Sequence, residues 1–190
     1  MTEIALFASG NGTNVENIAK YFAKSRHIKV SLVVSNKPNA YVHRRAKALK
    51  IPSYSFSNEQ FIEGNRILTL LLEHKIDFIV LAGFLLKVPN LLLEKYPNKI
   101  INIHPALLPK HGGKGMYGDR VHKKVIKTGD TKSGITIHYV NDKYDDGEII
   151  FQQSCDLHQN DTYEDVAEKV HKLEYEYFPR IIEEVILGKR

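Results

Sequence analysis

Cysteine is nearly missing: Cys155 stands alone among 190 residues. One thiol excludes an intrachain disulfide and a cysteine-based zinc cluster. Long hydrophobic runs are missing too. The longest, Phe78 to Leu86, falls well short of the roughly 20 residues that a membrane-spanning helix needs. No basic-then-apolar leader precedes the first apolar run at Ile4, so the expected compartment is the cytoplasm and a membrane is not an expected partner. Lysine and arginine never run beyond three in a row. The aromatic–basic interleaving of an RNA-binding sheet is absent, so nucleic acid is not an expected partner either. What remains is a mildly basic chain, net charge +5 and pI about 9.1, with nine histidines. Such a surface suits a phosphorylated small molecule. Hydrophobic residues at 43% and charged residues at 26% fit a globular chain with enough core for one domain, residues 1–190. No repeat, low-complexity tract or linker divides it.

In chain order, Ile4–Ala8 reads as a strand and Val15, Ile18, Ala19 and Phe22 mark a helix. Val30–Val34 is a second strand. Ala40–Lys50 reads as a basic helix whose Arg44, Arg45 and Lys47 form a solvated face. Ile51–Tyr54 returns to the sheet edge. Asn58–Glu73 reads as one helix burying Phe61, Leu68, Leu71 and Leu72. Asp77–Gly83 reads as a strand that is continuously apolar after Asp77, as a parallel strand covered on both faces should be. A short helix, Asn90–Lys95, leads to a strand ending at His104. This β-α-β-α-β-α-β order predicts an α/β fold with a doubly wound, Rossmann-like, mostly parallel sheet. Beyond His104, Leu107–Tyr117 reads as a flexible loop rich in Gly and Pro, and Arg120–Lys127 as a short helix. Ser133–Val140 and Glu148–Ser154 form an antiparallel strand pair. Asp161–Leu187 is a long C-terminal helix with a stripe of Val166, Val170, Leu173, Tyr177, Ile181 and Val185. Pro179 is expected to kink it.

Two places in this frame carry chemistry. After the first strand comes Ser9-Gly10-Asn11-Gly12-Thr13-Asn14. Its glycines permit positive φ and close backbone approach, Thr13 and Asn14 are capping types, and a helix N-terminus favours an anion. No Gly-Lys-Ser/Thr follows, so it is not a P-loop. Val15 stands where a dinucleotide fingerprint has its third glycine, and no acid ends the second strand to hold a ribose diol. A single phosphate fits this loop better than a pyrophosphate. The other place is Ile100-Ile101-Asn102-Ile103-His104-Pro105. Pro105 ends the strand, and Asn102 and His104, two apart, share one face at its carboxyl end. Ligands bind at that edge of open α/β sheets. The pair reads equally as a turn-forming amide beside a hydrogen-bonded core histidine.

Asn141-Asp142-Lys143-Tyr144-Asp145-Asp146-Gly147 holds three carboxylates in a turn. Turns favour Asp for backbone reasons, and the spacing is not that of a calcium loop. A carboxylate brought to His104 would favour its protonated form and hold a water.

The blocks Ser9–Asn14, Leu81-Ala82-Gly83-Phe84, Asn102-Ile103-His104-Pro105-Ala106-Leu107-Leu108-Pro109-Lys110 and Tyr144-Asp145-Asp146-Gly147 occur together, in that order. With them the chain resembles the folate-dependent formyltransferases, and within them the phosphoribosylglycinamide (glycinamide ribonucleotide) formyltransferases, over nearly its whole length. The resemblance implies the formyltransferase fold as a single domain, with residues 1–100 as a phosphate-binding half and 101–190 as a catalytic and folate-binding half. It implies formyl transfer from 10-formyltetrahydrofolate, without a metal, to the amine of 5'-phosphoribosylglycinamide in de novo purine synthesis, by a monomer or homodimer. Asn102, His104 and Asp145 match the family's catalytic triad. The backbone at Gly12, Thr13 and Asn14 matches its phosphate site, and Glu174 an acid that contacts the substrate. Leu85, Leu86, Val88, Val140, Asn141 and Asp145 match the segments enclosing the pterin. The chain departs from the pattern in four places. Leu86 stands where an Arg is frequent. A neutral residue near Asn58 replaces an Arg on the phosphate. His111–Gly118 is longer, and Arg120 replaces a histidine that many members place near the aspartate. Formyltetrahydrofolate deformylase shares the triad but adds an N-terminal regulatory domain. Methionyl-tRNA formyltransferase adds a C-terminal RNA-binding domain. Neither extension is expected here. A non-catalytic nucleotide sensor would leave Asn102, His104 and Asp145 without a common purpose.

Overall fold

The computed structural model describes all 190 residues. The elements are β1 (Thr2–Phe7), α1 (Thr13–Phe22), β2 (Ile28–Ser35), α2 (Val42–Ala48), β3 (Ser53–Ser55), α3 (Asn58–Glu63), α4 (Asn65–Glu73), β4 (Phe78–Leu81), α5 (Asn90–Lys95), β5 (Ile100–His104), α6 (Asp119–Thr128), β6 (Lys132–Tyr139), β7 (Ile149–Asp156) and α7 (Tyr163–Ile186). The sheet has seven strands in the order β3-β2-β1-β4-β5-β6-β7. No helix is long and apolar enough to cross a membrane. The chain forms two compact units, Met1–Asn102 and Ile103–Arg190.

In the first unit β3, β2, β1, β4 and the start of β5 pair in parallel. Parallel pairing puts their carboxyl ends at one edge, which gathers the loops after β1 and β4 and the Asn102 end of β5. β1 and β4, inside the sheet, are covered on both faces and so read as unbroken apolar runs: Ile4 to Phe7 and Ile79 to Val80 are fully buried. Phe7, Phe61 and Phe84 pack ring on ring, with centroids 4.9 to 6.1 Å apart.

The helix expected over Asn58–Glu73 is two helices. Gly64 ends α3 at φ 74°, a left-handed turn that no continuous helix contains. The break re-aims the second half: Ile67, Leu70 and Leu71 turn inward, and Leu72, expected in the core, is 60% exposed.

In the second unit β6 and β7 pair antiparallel. Along β6 the residues Ile135, Ile137 and Tyr139 alternate with Thr136 and His138, yet neither face is wet: Ser133 to His138 are all buried. Thr136 survives there because its hydroxyl is satisfied: it donates to the Ala106 carbonyl (2.7 Å) and accepts from the Leu108 N–H (2.9 Å). The buried stripe of α7 runs through Val166, Val170, Glu174, Phe178, Ile181 and Val185. Leu173 and Tyr177, expected in it, are only half-buried, and a carboxylate takes their place. Pro179 lies within α7, whose helical span is unbroken from Tyr163 to Ile186.

Candidate active site

His104 ends β5 and is 3% exposed. Its Nε2 lies 2.8 Å from the carbonyl oxygen of His111. A carbonyl only accepts, so Nε2 carries the proton and donates. The other ring nitrogen, Nδ1, lies 3.5 Å from Oδ2 of Asp145. The acidic turn and the strand-end histidine, 41 residues apart in sequence, thus meet.

The turn is built for this. Lys143 N–H donates to Asn141 Oδ1 (2.9 Å), an Asx turn. Asp145 sits at φ 53°, which short polar residues tolerate. Gly147 is obligatory, since a Cβ there would lie 1.7 Å from the Tyr139 carbonyl oxygen. The Asp145 side chain is 12% exposed, and its Oδ2 accepts the Gly113 N–H at 2.8 Å. On its other side Nε2 of His138 lies 3.8 Å from Oδ1. Burial pushes the His138 imidazole below its ordinary range, against the hydrogen bond to the Tyr139 carbonyl and the charge of Asp145. A neutral His138 with Nδ1 donating to Tyr139 (2.7 Å) follows. Sequence reasoning missed His138. Its only signal in the sequence is a histidine within Ser133–Val140, three residues before the acidic turn. Arg120, where a histidine was expected near the aspartate, instead lies 5.0 Å over the Tyr117 ring. Asn102, two residues before His104 on β5, is half-buried.

In the first unit the loop after β1 enters α1 through Gly12, not through Thr13 or Asn14. Gly12 is the N-cap at φ 76°, and no side chain caps the helix. Thr13 and Asn14 lie inside the first turn, so their backbone N–H groups point out of the helix end. A Cβ on Gly12 would come within 2.5 Å of Val42 Cγ2. Arg45, expected to be solvated, instead clamps this loop: its Nε donates to the Asn11 carbonyl (2.9 Å), Nη2 donates to Asn11 Oδ1 (3.1 Å), and Nη1 pairs with Glu16. Ser9 Oγ accepts the Leu85 N–H at 2.9 Å, tying the loop after β4 to it. Leu85 and Leu86 are half-buried, whereas Val88 is 3% exposed and packs in the core, where it supports the segment's shape. Val140 and Asn141 are half-buried at the start of the acidic turn.

A sequence profile described as Formyl transferase matches residues 2–182. The chain belongs to the formyl transferase family. It is 35% identical to a phosphoribosylglycinamide formyltransferase of Bacillus subtilis, over 98% of this chain and 95% of that one. It is 38% identical to the chloroplastic one of Arabidopsis thaliana, over 97% of this chain and 66% of the longer plant protein. The crystal structure of the Streptococcus pneumoniae phosphoribosylglycinamide formyltransferase superposes with a TM-score of 0.85 at 35% identity, over 96% of this chain and 98% of that one.

One further group belongs to the second unit of this formyl transferase. Glu174 is buried on α7, and Nδ1 of His171 donates to its Oε2 at 2.9 Å. That bond, then the charges of Glu174 and Asp119, raise the His171 pKa against partial burial. In Glu174→Gln, where burial acts without the carboxylate, NMR titration of His171 is expected to give a lower pKa than in wild type. An unchanged titration would show that the pair does not form in solution.

His122, 2% exposed and 6.4 Å from the His171 ring, shifts the opposite way. Burial is the largest cause, followed by the charge of His171. A depressed folded pKa means that stability is intact above the ordinary value of 6.5 and is lost as pH falls through the folded pKa. The His171 contribution has the reverse sign, present below 6.5 and lost as pH rises through the raised folded pKa. Replacing His122 by Gln removes the acid-labile part. The Tm of His122→Gln is therefore expected to gain on wild type as pH is lowered from about 7.5 to about 5. A constant difference across that range would count against it.

Proposed function

We propose that this chain transfers a formyl group from 10-formyltetrahydrofolate to the primary amine of 5'-phosphoribosylglycinamide, a step of de novo purine synthesis. The meeting of His104 with Asp145, on the strand that also carries Asn102, is the observation that carries the reading. The names and near-complete overlap of the relatives support it.

The donor set fits a formyl donor: an amide and an imidazole to meet an oxygen that gains charge, and a buried carboxylate to accept a proton. When bound, 10-formyltetrahydrofolate supplies the electrophilic carbonyl carbon. Asn102 NH₂ and protonated His104 donate hydrogen bonds to the formyl oxygen as the substrate amine forms its C–N bond. One such donor is typically worth about 10²–10³ in rate. Asp145 accepts, through an oriented water, the proton released by the amine. The same water returns it to the folate nitrogen as the old C–N bond breaks, help typically worth about 10²–10⁴. Asp145 keeps its place because Gly113 N–H holds Oδ2. The N–H groups of Gly12, Thr13 and Asn14 hold the substrate phosphate at the start of α1, on a loop that Arg45 keeps in shape. Glu174, on α7, contacts the substrate. Leu85, Leu86, Val140 and Asn141 border the pterin, with Val88 behind them.

The test is incubation with 10-formyltetrahydrofolate, with and without phosphoribosylglycinamide. Formylated amine with no formate release is expected. Formate release without the amine would assign a deformylase, and no consumption of the folate would overturn the reading.

A further inference from the structure

His104 Nε2–H is already committed to the His111 carbonyl at 2.8 Å. That carbonyl is held from the other side. Nε2 of His111 lies 2.5 Å from Oδ2 of Asp130, and both side chains are largely buried, 10% and 18% exposed. Asp130 is itself fixed by Lys110 Nζ (3.2 Å) and the Thr128 hydroxyl (3.1 Å). The hydrogen bond from His111, ahead of those from Lys110 and Thr128, holds the Asp130 carboxyl below the usual carboxylate range despite burial. Asp130 is therefore ionised at neutral pH and anchors His111, whose backbone sits in the left-handed region at φ 56°.

We propose that His111 and Asp130 are positioning residues: the Asp130–His111 pair pins the His111 carbonyl on His104 Nε2–H, so that the neutral ring keeps its proton on Nε2 and Nδ1, beside Asp145, is the nitrogen that takes up the second proton and, once protonated, donates to the formyl oxygen. Which nitrogen of an imidazole is protonated is set by the bond the other makes. Here that bond comes from the backbone of the Gly-rich loop, and its direction depends on a side chain at the loop's start. The proposal rests on the catalytic reading of His104.

The experiment combines ¹⁵N-histidine NMR with steady-state kinetics on wild type, His111→Ala, His111→Gln and Asp130→Ala. In wild type the neutral His104 ring is expected as the Nε2–H tautomer. In Asp130→Ala and His111→Ala a mixture of tautomers is expected, with kcat lowered about tenfold or more and both KM values within about twofold, as for a misplaced catalytic group. Gln at 111 keeps an amide N–H at the reach of Nε2 and should restore both the tautomer and most of kcat. A wild-type His104 in the Nδ1–H form would overturn the proposal, as would Asp130→Ala with an unchanged tautomer and kcat. Should Asp130→Ala not fold, the two His111 variants decide by the same readouts. Absence of formyl transfer by the wild type would instead remove the functional reading while leaving the tautomer result standing.

Discussion

Asp145→Asn is expected to lower kcat by about 10²-fold or more with little change in either KM, because a lost proton acceptor acts mainly in the transition state. The substitution suits the site. Asn tolerates the φ of 53° that Asp145 adopts, and its amide oxygen can still accept the Gly113 N–H, so the turn keeps its shape. What disappears is the charge 3.5 Å from His104 Nδ1 and the acceptor for the proton-carrying water. Asp146→Asn is the control. Its side chain is 54% exposed and pairs only with the exposed Lys143 at 3.5 Å, so an effect under about threefold is expected. Steady-state kinetics on both variants between about pH 6 and pH 9 make the comparison. A crippled Asp146→Asn beside a normal Asp145→Asn would place the proton acceptor one residue along.

The second large effect concerns the phosphate. A backbone N–H donating to a charged group is worth about 1.5–3 kcal/mol, so two or three of them at Gly12, Thr13 and Asn14 amount to at least about 3 kcal/mol. Removing the phosphate from the substrate should lower kcat/KM by about 10²-fold or more. Gly12→Ala should erase most of that preference. Alanine pays about 1–2 kcal/mol for a left-handed backbone, and its Cβ would lie 2.5 to 2.9 Å from Val42, backbone Cα included, so α2 or the loop must retreat. The check is kcat/KM for the phosphorylated and dephosphorylated substrates on wild type and Gly12→Ala. Equal values for the two substrates on wild type would show that this loop does not read phosphate. A full preference retained by Gly12→Ala would move the phosphate away from α1.

Some of this protein was legible in its residues. Short unbroken apolar runs such as Phe78 to Leu81, bounded by turn residues, fit strands covered on both sides, and glycine after the first of them, with helical spacing beyond, reads as strand–turn–helix. Pro105 alone fixes where β5 stops, and the period of two puts Asn102 and His104 on one face without any tertiary information. The motif blocks then carried the family. Local pattern failed wherever the deciding contact lay far along the chain. Gly64 looked like a tolerable residue within a helix until its left-handed φ split α3 from α4 and turned Leu72 outward. Arg45 looked like one more surface cation, because its partners Asn11 and Glu16 are about 30 residues away. The same holds at the site. Nothing in the composition of the acidic turn says that Asp145, rather than Asp142 or Asp146, meets His104, that His138 lies against its other oxygen, or that Asp130 anchors His111. Spacing along a chain specifies which face a side chain takes within its own element. Which ionisable groups share a buried volume, and so what charge and tautomer each holds, is decided only when the elements pack.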